Sequence, residues 1–188
     1  MPQPARPPKP HVAIVGLMGA GKSTVGRMLA RRLGLHFADT DEFVVAAARR
    51  PIPDIFAEVG EAGFRAREFE AARCAFSGAP SVVSLGGGAL THGPTRALVA
   101  RSAVSVYLEV LPKTILARLK RSRTLRPLVG ETPTLERIEE LLQSREPLYR
   151  EADVHIYAEQ CAPETIADAI VARLAEFHFA PKRVPGRT

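Results

Sequence analysis

The stretch HVAIVGLMGAGKSTVGRMLARRLG, residues 11–34, begins as an apolar run of strand length, breaks into glycines around a lysine, and resumes with helical spacing. Gly16, Gly21, Lys22 and Ser23 satisfy G-x-x-x-x-G-K-[ST], placed after a strand and at the start of a helix. Glycines let the backbone turn its N–H groups inward around phosphates, and the helix N-terminus adds the favourable end of its dipole. Lys22 then neutralises charge on the β- and γ-phosphates, and the Ser23 hydroxyl ligates Mg²⁺. A chance glycine-rich turn is the bland alternative, and the strand, the helix and Ser23 together argue against it.

A nucleotide site names no reaction, so the acceptor must be read elsewhere. The chain has no N-K-x-D guanine-reading tetrapeptide and no D-x-x-G switch, which argues against a GTPase, and no H-R-D catalytic loop of a protein kinase. Other strand-length apolar runs occur at 35–39, 81–85, 104–110 and 153–158, making about five strands with the first. Helical spacing separates them, as in Val25, Met28, Leu29 and Leu33, and a last helix is expected over 163–177. Apolar runs without strict alternation suit strands buried on both faces, so the chain reads as an α/β fold with a parallel sheet flanked by helices. There is no internal repeat. Two segments break the rhythm: 49–76, expected to form a helix pair, and 120–134, rich in arginine and turn residues, with the character of a lid or binding loop.

With 188 residues the chain has the length of one domain with one core. No apolar run approaches the roughly 18 residues of a membrane span. The start, MPQPARPPKP, lacks the apolar block of a secretory signal, so a cytoplasmic location is expected. Cys74 and Cys161 lie far apart with no C-x-x-C or Cys/His cluster, which offers no thiolate metal site. The net charge is +6, but Arg6, Lys9, Lys182, Arg183 and Arg187 sit in the first ten and last eight residues without an acidic neighbour. The 21 basic residues of 11–180 meet 20 acidic ones, so the basicity belongs to two tails expected to be disordered, 1–10 and 181–188, and argues against a nucleic-acid partner.

Several smaller signals point to a second ligand. FADTDEF puts Asp39 and Asp41 at the carboxyl end of the second strand, the edge that lines the ligand crevice of open α/β sheets. If the extended backbone persists, both carboxylates point the same way, one toward a magnesium-bound water and the other toward a substrate hydroxyl as general base. Alternatively, one of them caps a helix starting near Glu42. In GFRAREFE, Arg65 and Glu68 stand at i, i+3: a carboxylate grip with its orienting glutamate, or an exposed pair contributing only about 0.3–0.5 kcal/mol. By itself the pair reads as exposed. SLGGGAL places Gly86, Gly87 and Gly88 after the third strand, where a turn or the close approach of a ligand needs them. Arg126 in LRPLV could reach a transferring phosphoryl as an arginine finger in cis, and Arg145 in SREPLYRE is a further carboxylate grip. Taken alone, each of these two arginines reads as a surface residue.

In their identity and order, GLMGAGKST, DTD, GFRAREFE, LGGGA, RPLV and REPLY resemble the shikimate kinase family over about residues 11–177. The resemblance implies a nucleoside monophosphate kinase-like P-loop fold, three-layered with a five-stranded parallel sheet. It also implies one domain over 11–180 with a substrate-binding helical insertion at about 42–76 and a lid at about 120–134. It implies ATP-dependent phosphorylation of the 3-hydroxyl of shikimate, on the way to chorismate and the aromatic amino acids, by a monomer. By matching position, Asp41 would be the base, Asp39 would support Mg²⁺ through water, and Lys22 and Arg126 would bracket the phosphates. Arg65 and Arg145 would hold the substrate carboxylate, Glu68 would orient that shell, and Gly86, Gly87 and Gly88 would approach the ring hydroxyls. ATP would lie on Gly19, Ala20, Gly21, Lys22, Ser23 and Thr24, with Arg118 stacking on adenine and a further adenine contact near 158–163. Where this family usually reads RPLL, the chain has Val129, with little consequence expected. A gluconate kinase would share the phosphate loop but would not need Arg65, the three glycines and Arg145 together. An adenylate kinase would need a nucleobase pocket that the insertion does not suggest. A non-catalytic binding protein could discard Lys22, Asp41 or Arg126, and all three are present.

Overall fold

The computed structural model describes residues 9–122, 126–130, 132–177 and 179. The expected tails therefore lie, apart from Lys9 and Pro10, outside the described residues, as do four positions of the expected lid. Five strands form one parallel sheet: β1 (His11–Val15), β2 (His36–Asp39), β3 (Ser81–Ser84), β4 (Ala103–Glu109) and β5 (Val154–Tyr157), in the order β2-β3-β1-β4-β5. Every residue of β1 and β3 is buried, as strands covered on both faces must be. Register pairs Val12 with Val82 on one side and with Val104 on the other.

Seven α-helices among the described residues connect and cover the strands: α1 (Lys22–Leu33), α2 (Thr40–Ala48), α3 (Ile52–Ser77), α4 (Gly93–Ser102), α5 (Pro112–Arg121), α6 (Leu135–Tyr149) and α7 (Pro163–Leu174). The chain leaves β1 toward β2 on one side and leaves β3 toward β4 on the other. Right-handed crossovers therefore put α1 and α4 on opposite faces and make the three layers. The same reversal opens a crevice at the carboxyl ends of the adjacent strands β1 and β3, the topological switch point where ligands bind in such sheets. The phosphate loop leaves β1 there, and the three glycines leave β3 beside it.

The insertion between β2 and β3 departs from the expected helix pair in one detail. α2 precedes it, starting at Thr40 rather than near Glu42, and α3 is a single helical run broken at Gly60, whose φ of 67° and ψ of −177° are not helical. The two arms, 52–59 and 61–77, are the pair. Beyond the main core, Val44, Ile55, Phe64 and Ala71 form a small separate cluster. It exists because α2 and the two arms of α3 must bury their apolar faces against one another. Cys74 and Cys161 are exposed and unpaired. No helix among the described residues is long and apolar enough to cross a membrane.

Candidate active site

The phosphate loop takes its shape from Gly16, Gly19 and Gly21, all with positive φ, and Gly21 caps α1 in the left-handed conformation. Lys22 folds back over the loop, its Nζ donating to the carbonyls of Gly16 (2.9 Å) and Leu17 (3.1 Å). Burial lowers its pKa to about 8; Asp41 and Asp39 pull upward, and Arg126 pushes further down. The Ser23 hydroxyl donates to Asp39 Oδ2 at 2.6 Å, and Arg118 Nη1 donates to the carbonyls of Gly19 (3.1 Å) and Ala20 (3.0 Å). Ala20 is buried in the loop, and Thr24 is exposed on the first turn of α1.

Asp39 and Asp41 do come together, but not by the expected route. The strand ends at Asp39, and helix α2 begins at Thr40, so alternation along an extended backbone does not align them. Asp39 caps the helix, its Oδ1 accepting the Asp41 N–H at 3.0 Å while its Oδ2 takes the Ser23 hydroxyl. The helix turn then sets the Asp41 carboxyl within reach of Asp39, Lys22, Arg126 and Arg65. Burial and the Asp39 charge raise its pKa, and the three cations oppose that rise. Ser23 and Asp39 form a pair of hard oxygen donors beside the phosphate loop. Mg²⁺, which favours one or two such ligands plus phosphate oxygens and water, fits that set.

Arg65 and Glu68 are not the exposed pair that their spacing alone suggested. Their side chains are 7% and 1% exposed, and Arg65 Nη1 donates to Glu68 Oε2 at 2.5 Å. The second arm of α3 packs against the glycines after β3, which turns the pair inward. Burial pushes the Glu68 carboxyl up to about 7 against the pull of Arg65. Gly86, Gly87 and Gly88 are needed for close approach, and what approaches is the protein itself. A Cβ at Gly86 would lie 2.0 Å from Glu68 Oε1, one at Gly87 2.9 Å from the Met18 nitrogen, and one at Gly88 2.1 Å from Arg65 Nη2. Phe56 and Phe64 stack at 4.3 Å beside the Arg65 guanidinium.

Arg145, on α6, is 4% exposed rather than a surface residue, and its Nη1 faces the Gly87 carbonyl at 3.4 Å. That carbonyl also accepts the hydroxyl of Tyr149, which sequence reasoning passed over. Tyr149 sits four residues after Arg145 on the same helical face, a spacing that could have flagged it. Thr40 was also missed. Its Oγ1 donates to the Ser84 carbonyl (3.3 Å) and accepts the Gly86 N–H (3.1 Å), tying the start of α2 to the glycines. No local signal marks a hydroxyl whose partners lie more than forty residues away.

Arg126 stands in a turn closed by bonds from the Val129 and Gly130 N–H groups to its own carbonyl, both 3.1 Å. Val129 is 8% exposed and joins the main core, so it anchors the root of the loop. A cleft of about 730 Å³ runs between Ser23 and Asp39 at one end and Arg65 and Gly88 at the other, bordered by Arg126 and Leu128. Among the described residues, the buried side-chain polar atoms without a hydrogen-bond partner are Arg65 Nε, Glu68 Oε1 and Arg126 Nε, all on residues of this cleft. Native folds rarely leave such atoms unpaired, and together they offer two donors and one acceptor to a polar ligand in one cleft.

A model of the shikimate kinase family matches residues 18–175 of the chain. A shikimate kinase of Rhodopseudomonas palustris is 42% identical over 174 residues, covering 93% of this chain and 85% of that protein. One from Nitrobacter winogradskyi is 40% identical over 163 residues, covering 87% and 76%. Among solved structures, the shikimate kinase of Acinetobacter baumannii in complex with shikimate superposes with a TM-score of 0.84 at 38% identity, over 89% of this chain and 94% of that one.

Proposed function

The chain belongs to the shikimate kinase family, and on that premise we propose that it transfers the γ-phosphoryl group of ATP to the 3-hydroxyl of shikimate, giving shikimate 3-phosphate and ADP. The observation that carries this reading is the set of unpartnered buried atoms on Arg65, Glu68 and Arg126, in one cleft with Asp41 and beside Lys22. A rigid hydroxylated carboxylic acid supplies both an anion for the guanidinium groups and hydroxyls for the acidic side chains. Arg65 and Arg145 hold its carboxylate, Glu68 fixes the direction of Arg65, and Gly86, Gly87 and Gly88, which leave room for Glu68, Met18 and Arg65, also bring their backbone toward the ring hydroxyls.

ATP lies over Gly19, Ala20, Gly21, Lys22, Ser23 and Thr24, with Arg118 beside the loop. The 158–163 segment is the proposed adenine contact. Asp41 accepts the proton as the substrate oxygen bonds to the γ-phosphorus and the bond from that phosphorus to the β,γ-bridging oxygen breaks, releasing ADP. A carboxylate whose pKa is raised by burial takes that proton more readily than an exposed one. Lys22 and Arg126 meet the charge spread over the equatorial oxygens. Ser23 and, through water, Asp39 would hold Mg²⁺, which supplies further neutralisation of the phosphates. We read 11–180 as one domain with its substrate-binding region near 42–76 and its lid near 120–134, acting as a cytoplasmic monomer with no nucleic-acid or membrane partner.

A coupled ADP-release assay with MgATP and shikimate, quinate, gluconate or AMP tests the reading. Shikimate is expected to be the preferred acceptor by a wide margin. Turnover of gluconate without turnover of shikimate would refute it.

A further inference from the structure

Arg65 already holds two carboxylates of the protein itself, and the two differ in kind. Glu68 binds Nη1 from a fully buried position, whereas Glu61 binds Nη2 at 2.8 Å with 51% of its side chain exposed. The Arg65 side chain is only 7% exposed, and its Nε has no partner. Burial favours a neutral Arg65, but Glu68 and Glu61 hold its pKa above the usual value. With Asp41 also within electrostatic reach, an arriving substrate carboxylate meets three acidic side chains around Arg65. One must leave for the acid to gain the same donors. Glu68 cannot turn to water without abandoning a 1% exposed site, whereas Glu61 is already half in solvent.

We infer that Glu61 is a stand-in for the substrate carboxylate: it holds Arg65 Nη2 until the acid enters and then yields it, so it sets the affinity for carboxylate-bearing substrates. This rests on the shikimate kinase reading above. The backbone provides the freedom for the exchange, since the helix break at Gly60 immediately precedes Glu61 and a Cβ there would meet nothing within 4 Å. Glu61 therefore starts its arm of α3 without a continuous helix behind it. The stand-in keeps Arg65 aimed while the site is empty, at the cost of competing with the ligand.

The test compares the full-length wild type with Glu61→Gln and Glu61→Ala, using calorimetry with shikimate and with its methyl ester and steady-state kinetics at saturating MgATP. Loss of a half-exposed competing ion pair is expected to tighten shikimate binding and lower its KM about two- to fivefold. No matching fall in kcat is expected, and the ester, which lacks the anion, should bind wild type and variants alike. Unchanged or weaker shikimate binding in both variants would overturn the inference, because a glutamate that merely supports Arg65 weakens binding when removed. A tightening equal for acid and ester would overturn it as well. If the wild type neither bound nor phosphorylated shikimate, the functional reading itself would fall, and this inference with it, a result distinct from the other two.

Discussion

At the scale of single residues, the site works by placing charges where burial alone would not keep them. Lys22 is the clearest case: desolvation brings its pKa down to about 8, although Asp41 and Asp39 oppose the shift. On the role proposed for Lys22, phosphate favours its charged form, so nucleotide binding is expected to take up a proton near and above that pH. Because the ammonium form is the one that phosphate prefers, ATP affinity is expected to hold steady below pH 8 and to weaken as pH rises above it. Titration calorimetry between pH 7 and 9.5 in buffers of different ionisation enthalpy reads both effects, and a flat affinity without proton uptake would contradict the assignment. The same lowered pKa works on stability with a definite sign. The unfolded lysine holds its proton up to its ordinary value of 10.5, so the destabilising contribution of Lys22 is fully present below pH 8 and is relieved between 8 and 10.5. The phosphate motif and its lysine were legible in sequence because their geometry is local: the glycines that shape the loop and the carbonyls that Lys22 meets lie within a few positions of it. Burial of Arg65 and Glu68 was not, because an i, i+3 pair looks the same on an exposed face as on one packed against a distant glycine.

The elements show how the acceptor half is assembled. α2, α3 and the turn after β3 meet through Thr40, Gly86 and Glu68, and Arg65 lies on the second arm of α3, which starts at the break at Gly60. Gly60 makes that break with φ near +67° and extended ψ, a region closed to residues with a Cβ. Gly60→Ala has open space for its methyl group, so its cost is purely conformational. It is expected to destabilise the fold by about 1–3 kcal/mol and to raise the KM for shikimate more than that for ATP, since the phosphate loop lies elsewhere. Chemical denaturation and steady-state kinetics together check this; a variant as stable as wild type with unchanged KM would show that the kink is dispensable. The helix pair was visible from its spacing, but its hinge was not singled out: a glycine within a helical pattern is equally compatible with a tolerated small residue.

For the whole molecule, the parallel sheet makes donor and acceptor halves neighbours by connecting β1 and β3 in opposite directions. Binding and transfer should therefore be separable by mutation. Shikimate at about 100 times its Kd is expected to stabilise the fold by about 2.7 kcal/mol, a rise in Tm of about 5–10 °C for a chain of this size. Asp41→Asn should keep at least half of that shift while losing turnover by a factor of about 10² or more. Loss of the thermal shift together with turnover would make Asp41 a binding residue only. The strand runs, the phosphate loop and the order of six short motifs were determined by the sequence itself, since hydrophobic period and glycine placement act over a few residues of chain. The capping of a helix by one of the two aspartates was likewise open to the sequence, as a local alternative, whereas tertiary structure alone decided that Arg65, Glu68 and Arg145 are buried and that Tyr149 and Thr40 fasten the glycines. Those outcomes depend on which surfaces meet between elements distant in the chain, where desolvation sets both the charge and the orientation of a side chain.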